Sequence, residues 1–153
     1  MNLSLRVIDS REEALELAER LARLAEEAMA EYRAEPLPPD AGRRFVERHF
    51  GADELLVLAA EESGTGASCG LCVTAPFEEP FTGEVHPLVV VLHVRAELRH
   101  RGIARALVAE ARRVLRRRGT RALAVRAAYN DDALISMGER WGFVRAWELM
   151  IGD

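Results

Sequence analysis

The sequence predicts an α/β fold: one central mixed sheet, mostly antiparallel, flanked by helices, in the order β-α-α-β-β-β-α-β-α-β. Three observations predict it. Short apolar runs bounded by turn residues alternate with stretches of helical spacing. The front half joins strands through short turns, which gives antiparallel neighbours. The back half alternates strand and helix, which gives a parallel pair. A length of 153 residues suits one domain over 1–153.

Residues 3–9 alternate apolar and polar at first and read as a strand. Ser10, with Glu13 three residues on, fits a capping box, and Ala18, Leu21, Ala22, Ala25, Ala28, Met29 and Tyr32 keep helical spacing to about residue 33. Pro36, Pro38 and Pro39 interrupt the chain; Asp40 can cap a second helix that runs to about Phe50, where Gly51 stops it. Residues 54–61 and 67–75 form a hairpin around Ser63-Gly64-Thr65-Gly66. The stretch 76–87, with three prolines, reads as a loop leading to a buried strand at 88–95. After Gly102, the positions Ala104, Leu107, Val108, Ala111 and Leu115 mark a helix ending in Arg116-Arg117-Arg118-Gly119, with cations at its negative end. A strand at 121–127, a helix from about Asn130 and a last strand from Phe143 complete the order. The crossover from 88–95 to 121–127 puts the turn at 96–103 at the carboxyl end of the sheet, where α/β folds bind ligands.

Apolar residues at 49% and charged residues at 30% fit a soluble globular protein. No run approaches the roughly 20 apolar residues that span a bilayer, and the first residues lack a signal-like core. Two cysteines, Cys69 and Cys72, suit a reducing compartment, so the cytoplasm is expected. The net charge of −4 hides an asymmetry: residues 1–94 carry 8 Arg against 18 acids, residues 95–126 carry 11 Arg against 2, and residues 127–153 carry 2 Arg against 5. One basic block in an acidic chain points to a local anionic ligand, not to a membrane or nucleic-acid surface. Arg112, Arg113, Arg116, Arg117 and Arg118 have no interleaved aromatics and read as a solvated helix face. Cys69-Gly70-Leu71-Cys72 has redox-motif spacing, but in a strand positions three apart face opposite sides, so it reads as packing.

The turn Arg99-His100-Arg101-Gly102-Ile103-Ala104 has the makings of a phosphate site. Gly102 and Ala104 are small, so an anion can approach the main chain, and the first amides of the helix point at it along the dipole. Arg99, Arg101 and Arg105 add charge.

Val94-Arg95-Ala96-Glu97-Leu98-Arg99-His100-Arg101-Gly102-Ile103-Ala104-Arg105-Ala106-Leu107 resembles the acyl-CoA motif of the GNAT N-acetyltransferase superfamily, Arg/Gln-x-x-Gly-x-Gly/Ala. Asn130-Asp131-Asp132-Ala133, followed by Trp141-Gly142-Phe143-Val144, resembles that family's second motif, and the element order is also the family's. The resemblance implies a GNAT fold and transfer of an acetyl group from acetyl-CoA to an amine, with no metal. It implies that amides over about 100–105 bind the CoA pyrophosphate and that the pantetheine arm pairs with the main chain near Leu92 and Val94. Asn130 would touch the arm, although it also reads as the N-cap of the next helix.

In the implied reaction a neutral amine attacks the thioester, main-chain N–H groups stabilise the oxyanion, a base takes a proton and an acid protonates the thiolate. The family often places a tyrosine acid five residues before the phenylalanine of its Gly-Phe pair, which is Gly138 here, and counting seven from Asn130 reaches Met137. Tyr129 is the nearest replacement. The missing tyrosine leaves open a non-catalytic acyl-CoA-binding sensor or interaction module. The family's base often lies on the fourth strand. By strict alternation His93 points away from the face of Val90, Leu92 and Val94, unless a bulge intervenes, and reads as a core or surface histidine. His86 shares the parity of Val94 but lies about 26 Å upstream on an extended strand, so it would act through water or serve the acceptor; Glu84 is comparable. Glu78, Glu79, Glu84, Glu31, Glu35 and Asp40 surround the region where the family admits its acceptor, which suits a cationic amine. Family habit also implies a homodimer, with Trp147-Glu148-Leu149-Met150 as an interface strand.

Overall fold

The computed structural model describes residues 1–30, 33–120, 122–127 and 131–146. Among the described residues five strands form one sheet in the order β1 (Leu3–Val7), β2 (Leu56–Glu62), β3 (Ser68–Glu78), β4 (Val85–Val94), β5 (Ala124–Val125). Every neighbouring pair is antiparallel except β4 with β5, which is parallel. Helices α1 (Arg11–Glu16), α2 (Ala18–Met29) and α3 (Ala41–His49) pack on one face, and α4 (Ile103–Arg117) packs on the other. A further helix, α5 (Asp132–Arg140), follows β5.

The alternation of β2 sorts the two cores. Leu56, Leu58 and Ala60 pack with Ile103, Leu107, Ala111 and Leu115 of α4, whereas Val57 and Ala59 pack with Ala14, Leu21, Leu24 and Val46. The spacing expected for α4 is therefore its core face. At the far end Arg118 donates to Leu55 O at 2.6 Å, and Thr120 donates through both N–H and Oγ1 to Leu115 O, closing the helix.

Several expected boundaries change. The helix read over 10–33 is two helices broken at Leu17, and the described part ends at Met29. The break adjoins the closest approach of α3, where a Cβ on Gly42 would lie 1.8 Å from Ala18 O. Ser10 does cap α1, its side chain accepting from Glu13 N at 3.1 Å. The Glu13 carboxylate turns to Arg6, which also binds Glu61, so it does not close the capping box. Asp40 makes no side-chain cap on α3 and instead lies 3.7 Å from Arg44.

Half of the stretch 76–87 is strand, and only 79–84 form a turn. Pairing continues through Pro76↔Pro87, Phe77↔His86 and Glu78↔Val85. The two prolines oppose each other, so their missing donors fall at one rung. The Glu79 carboxylate closes the turn by accepting from Phe81 N at 2.9 Å and Thr82 N at 2.6 Å, while Glu79 N donates to Glu84 O. Those amides, that of Thr82 first, hold the Glu79 carboxyl below its usual range.

Two bulges shift side-chain parity. One between Ala60 and Glu61 leaves Cys69 as an extra residue on β3, so Cys69 and Cys72 enter the same core cluster, not opposite faces. The other, at Val73/Thr74, leaves Val90 unpaired on β4. Among the described residues the strand expected over 121–127 shrinks to Ala124–Val125, and 143–146 form no strand. The expected interface strand Trp147–Met150 lies outside the described residues, as do Glu31, Tyr32, Tyr129 and Asn130.

Thr74 is fully buried beside the second bulge, where Oγ1 accepts from Leu56 N at 3.1 Å and donates to Glu54 O at 2.7 Å. Thr74→Val strands both partners, so we expect a loss of about 1–3 kcal/mol in chemical denaturation. Thr74→Ser, which keeps the hydroxyl, should lose less; equal stability of Thr74→Val and the parent would refute this role.

Candidate active site

The chain leaves β4 through a 3-10 turn at Ala96–Leu98 and enters α4 over Arg99–Gly102. His100 and Gly102 both have positive φ, 61° and 80°. At Gly102 a Cβ would meet nothing within 4 Å, so it is the backbone angle that calls for glycine. Ile103 is buried and anchors the first turn of α4 in the core, with Ala104 packed partly behind it.

The result is an array of free donors. Ala106 N donates to Gly102 O at 3.0 Å and is the first amide of α4 with a main-chain acceptor. Among the described residues the amides of His100, Arg101, Gly102, Ile103, Ala104 and Arg105 have none. The guanidinium groups of Arg101 and Arg105 are exposed and form no ion pair among the described residues. Arg99 differs: its Nε donates to Val94 O at 3.1 Å and ties the loop to the end of β4.

Beside this loop the sheet opens. Among the described residues β4 meets β5 only at Leu88↔Ala124 and Val89↔Val125. From Val90 to Val94 the edge of β4 away from β3 has no strand partner among the described residues, and this stretch contains Leu92 and Val94. Both side chains pack toward α4. On the other edge Gly70 lets β4 come close, since a Cβ there would fall 2.7 Å from His93 O and 3.2 Å from Leu107 Cδ1.

The bulge at Val90 decides where the histidines lie. Val89, Leu92 and Val94 face α4, while Val90 and Val91 face α1–α3. Alternation then places His93 and His86 on the α1–α3 face. His86 therefore lies opposite Val94, correcting the parity expected for it. Its Nε2 is 3.9 Å from Glu84 Oε2 on the hairpin. His93 is half-buried, and burial pushes its pKa down; Arg20, Arg99 and Arg23 reinforce this and Glu27 opposes it.

Half of the described arginines of the basic block are structural. Arg95 pairs with Glu97 and donates to Ser68 O, and Arg113 pairs with Glu110. Arg118 binds the carbonyls before β2. Arg112 donates to Trp141 O at 2.6 Å and lies 4.2 Å over the Phe143 ring. The solvated face expected for Arg112–Arg118 thus holds for only part of it. Sequence spacing gave no signal for the Arg112 contact, whose partners lie 29 and 31 residues away. The expected acidic field is also partly engaged, with Glu79 in its turn and Asp40 beside Arg44. The cap of α5 is Asp131, whose Oδ1 accepts from Leu134 N at 2.9 Å, not Asn130. No group of three His, Cys, Asp or Glu side chains among the described residues could hold a metal, and no described helix is long and apolar enough to cross a membrane.

The sequence profile of the acetyltransferase (GNAT) family matches residues 13–143. The chain belongs to the GNAT acetyltransferase family. By that membership it is an N-acetyltransferase. No curated protein sequence matches it significantly. Solved GNAT structures share the fold over its whole length. An aminoglycoside acetyltransferase, AAC(6')-Iy, in complex with the bisubstrate analogue CoA-S-monomethyl-acetylneamine has a TM-score of 0.72 at 17% identity, covering 100% of this chain and 98% of that one. The aminoglycoside acetyltransferase HMB0005 from an uncultured soil metagenomic sample has 0.68 at 25%, with the same coverage. A ribosomal-protein-alanine N-acetyltransferase from Brucella melitensis biovar Abortus 2308 has 0.69 at 22%, again covering 100% and 98%.

The depressed pKa of His93 has a consequence for stability. Below about pH 6.5 the unfolded chain takes up a proton at this site that the folded chain binds less readily. Stability from this group is therefore complete above the unfolded pKa and is lost as pH falls through the folded one. His93→Gln lacks this loss, so the parent should weaken relative to the variant between pH 7.5 and 5.5 in thermal melts. A gap independent of pH would refute it.

Proposed function

We propose that this GNAT acetyltransferase moves the acetyl group of acetyl-CoA to the amine of an acceptor by direct attack. The observation that carries the reading is that, among the described residues, the amides of His100–Arg105 have no main-chain acceptor and adjoin an edge of β4 that has no strand partner. The donor set suits a pyrophosphate: six N–H groups at a helix N-terminus, with Arg101 and Arg105 beside them. The main chain near Leu92 and Val94 can pair with the pantetheine arm as an added strand would. Bound there, acetyl-CoA supplies the activated acyl group.

This chain's residues then bind, orient and move protons. Main-chain N–H groups of β4 stabilise negative charge on the reacting carbonyl. Asn130 contacts the arm, and Tyr129 is assigned as the acid to the departing thiol. His86, beside Glu84, is assigned as the base, acting through water. Glu78, Glu84 and Glu35 favour a cationic amine. The named activities of the AAC(6') and ribosomal-protein-alanine neighbours share an amine acceptor and support that class. A cytoplasmic homodimer pairing through Trp147–Met150 belongs to the same reading.

Thermal unfolding with acetyl-CoA, CoA and dephospho-CoA tests it. At a hundredfold excess over the dissociation constant, acetyl-CoA should add about 2.7 kcal/mol, worth several degrees. Arg101→Glu should abolish the shift. No shift with any of the three would withdraw the site. Thiol release that depends on an added amine separates the enzyme from a binding module, which would bind without release.

A further inference from the structure

Two helices open at the same end of the sheet. α4 follows β4 and α5 follows β5, and these strands are parallel, so both helix N-termini stand at the mouth of the gap between them. They are held very differently. α4 buries Ile103, Leu107, Val108, Ala111 and Leu115, whereas α5 buries none of its residues. Beyond α5 the chain turns rigidly: Trp141 N donates to Met137 O, Phe143 N donates to Gly138 O, and Gly142 takes φ 85°. Arg112 grips this turn at two points, a charge-assisted hydrogen bond to Trp141 O at 2.6 Å and a cation–π contact with Phe143 at 4.2 Å. Trp141 O lies at the negative end of the α5 dipole, so a cation there is favoured twice.

We propose that Arg112 is a positioning residue that fixes α5 against the cofactor helix and so sets the width of the gap where the acyl group is presented. Arg112 lies about 14 Å along α4 from Ile103, out of reach of the anion loop. It acts through the placement of α5, not by touching ligand. The proposal rests on the acetyl-CoA reading only for its catalytic consequence; the strap itself is a property of the fold.

Hydrogen exchange and ligand titration on the full chain test the two parts separately. In Arg112→Ala the amides of 132–143 should exchange about tenfold faster, while those of 103–111 stay within about twofold of the parent. Acetyl-CoA should bind several-fold more weakly in the variant. ADP, which offers a pyrophosphate to the loop but has no pantetheine arm, should bind unchanged. Arg112→Lys keeps a cation over Phe143 and a donor for Trp141 O, and should recover most of both losses. Unchanged exchange over 132–143, or acceleration spread evenly over the chain, would overturn the strap. Equal weakening of acetyl-CoA and ADP, or no rescue by lysine, would overturn the positioning role. If the parent binds neither ligand, the acetyl-CoA reading fails, while exchange still decides the strap.

Discussion

Main-chain donors and acceptors withdrawn from a ladder must find another partner, and this fold concentrates that demand in one place. β4 pairs with β3 along its length except at the bulged Val90, yet on its other edge, among the described residues, only two rungs join it to β5. The unpaired edge runs on into a loop whose six amides precede the first bonded turn of α4. A protein with such a seam holds either water or a ligand along it. The two cores make the seam tolerable: Ile103 and Leu107 fix α4 from one side, and Val91 with α2 steadies β4 from the other. Gly70 removes the side chain that would force β4 outward at His93.

Charge follows the same economy. A segment with 11 arginines looks like one large cationic surface in the sequence. In the fold half of the ten described are fasteners, whose planar donors reach main-chain carbonyls or paired carboxylates. Arg99 ties the loop to β4, Arg112 ties α4 to the turn after α5, and Arg118 ties the end of α4 to the entrance of β2. Arg101 and Arg105 remain exposed beside the free amides, so the field that a ligand meets is narrow and local.

What the sequence made legible was decided by local chemistry. Ser10 announced its cap, the apolar spacing of α4 announced its buried face, and the small Gly102 and Ala104 announced an accessible main chain at the start of a helix. The misreadings arise where a side chain or a neighbouring strand overrides local signals. Prolines at 76 and 87 looked like loop because their mutual opposition is visible only in the ladder, and the turn itself is closed by a carboxylate, Glu79. The two bulges left no trace in the pattern, although each inverts parity downstream, bringing the cysteines together and separating His86 from Val94. Arg112 was unreadable for another reason: its partners are remote in sequence and one of them is a main-chain carbonyl, which no residue type reveals.

The position of the two sulfurs bears on how turnover can be watched. Cys69 and Cys72 are buried in the core beneath α4, and desolvation pushes the Cys72 thiol up to about 12. Both sulfurs are buried, so neither is accessible to a disulfide reagent while the chain stays folded. A chromogenic reagent such as Ellman's would therefore register free CoA over a protein background close to zero. Under denaturant the same reagent would instead count both sulfurs and report on the integrity of the core.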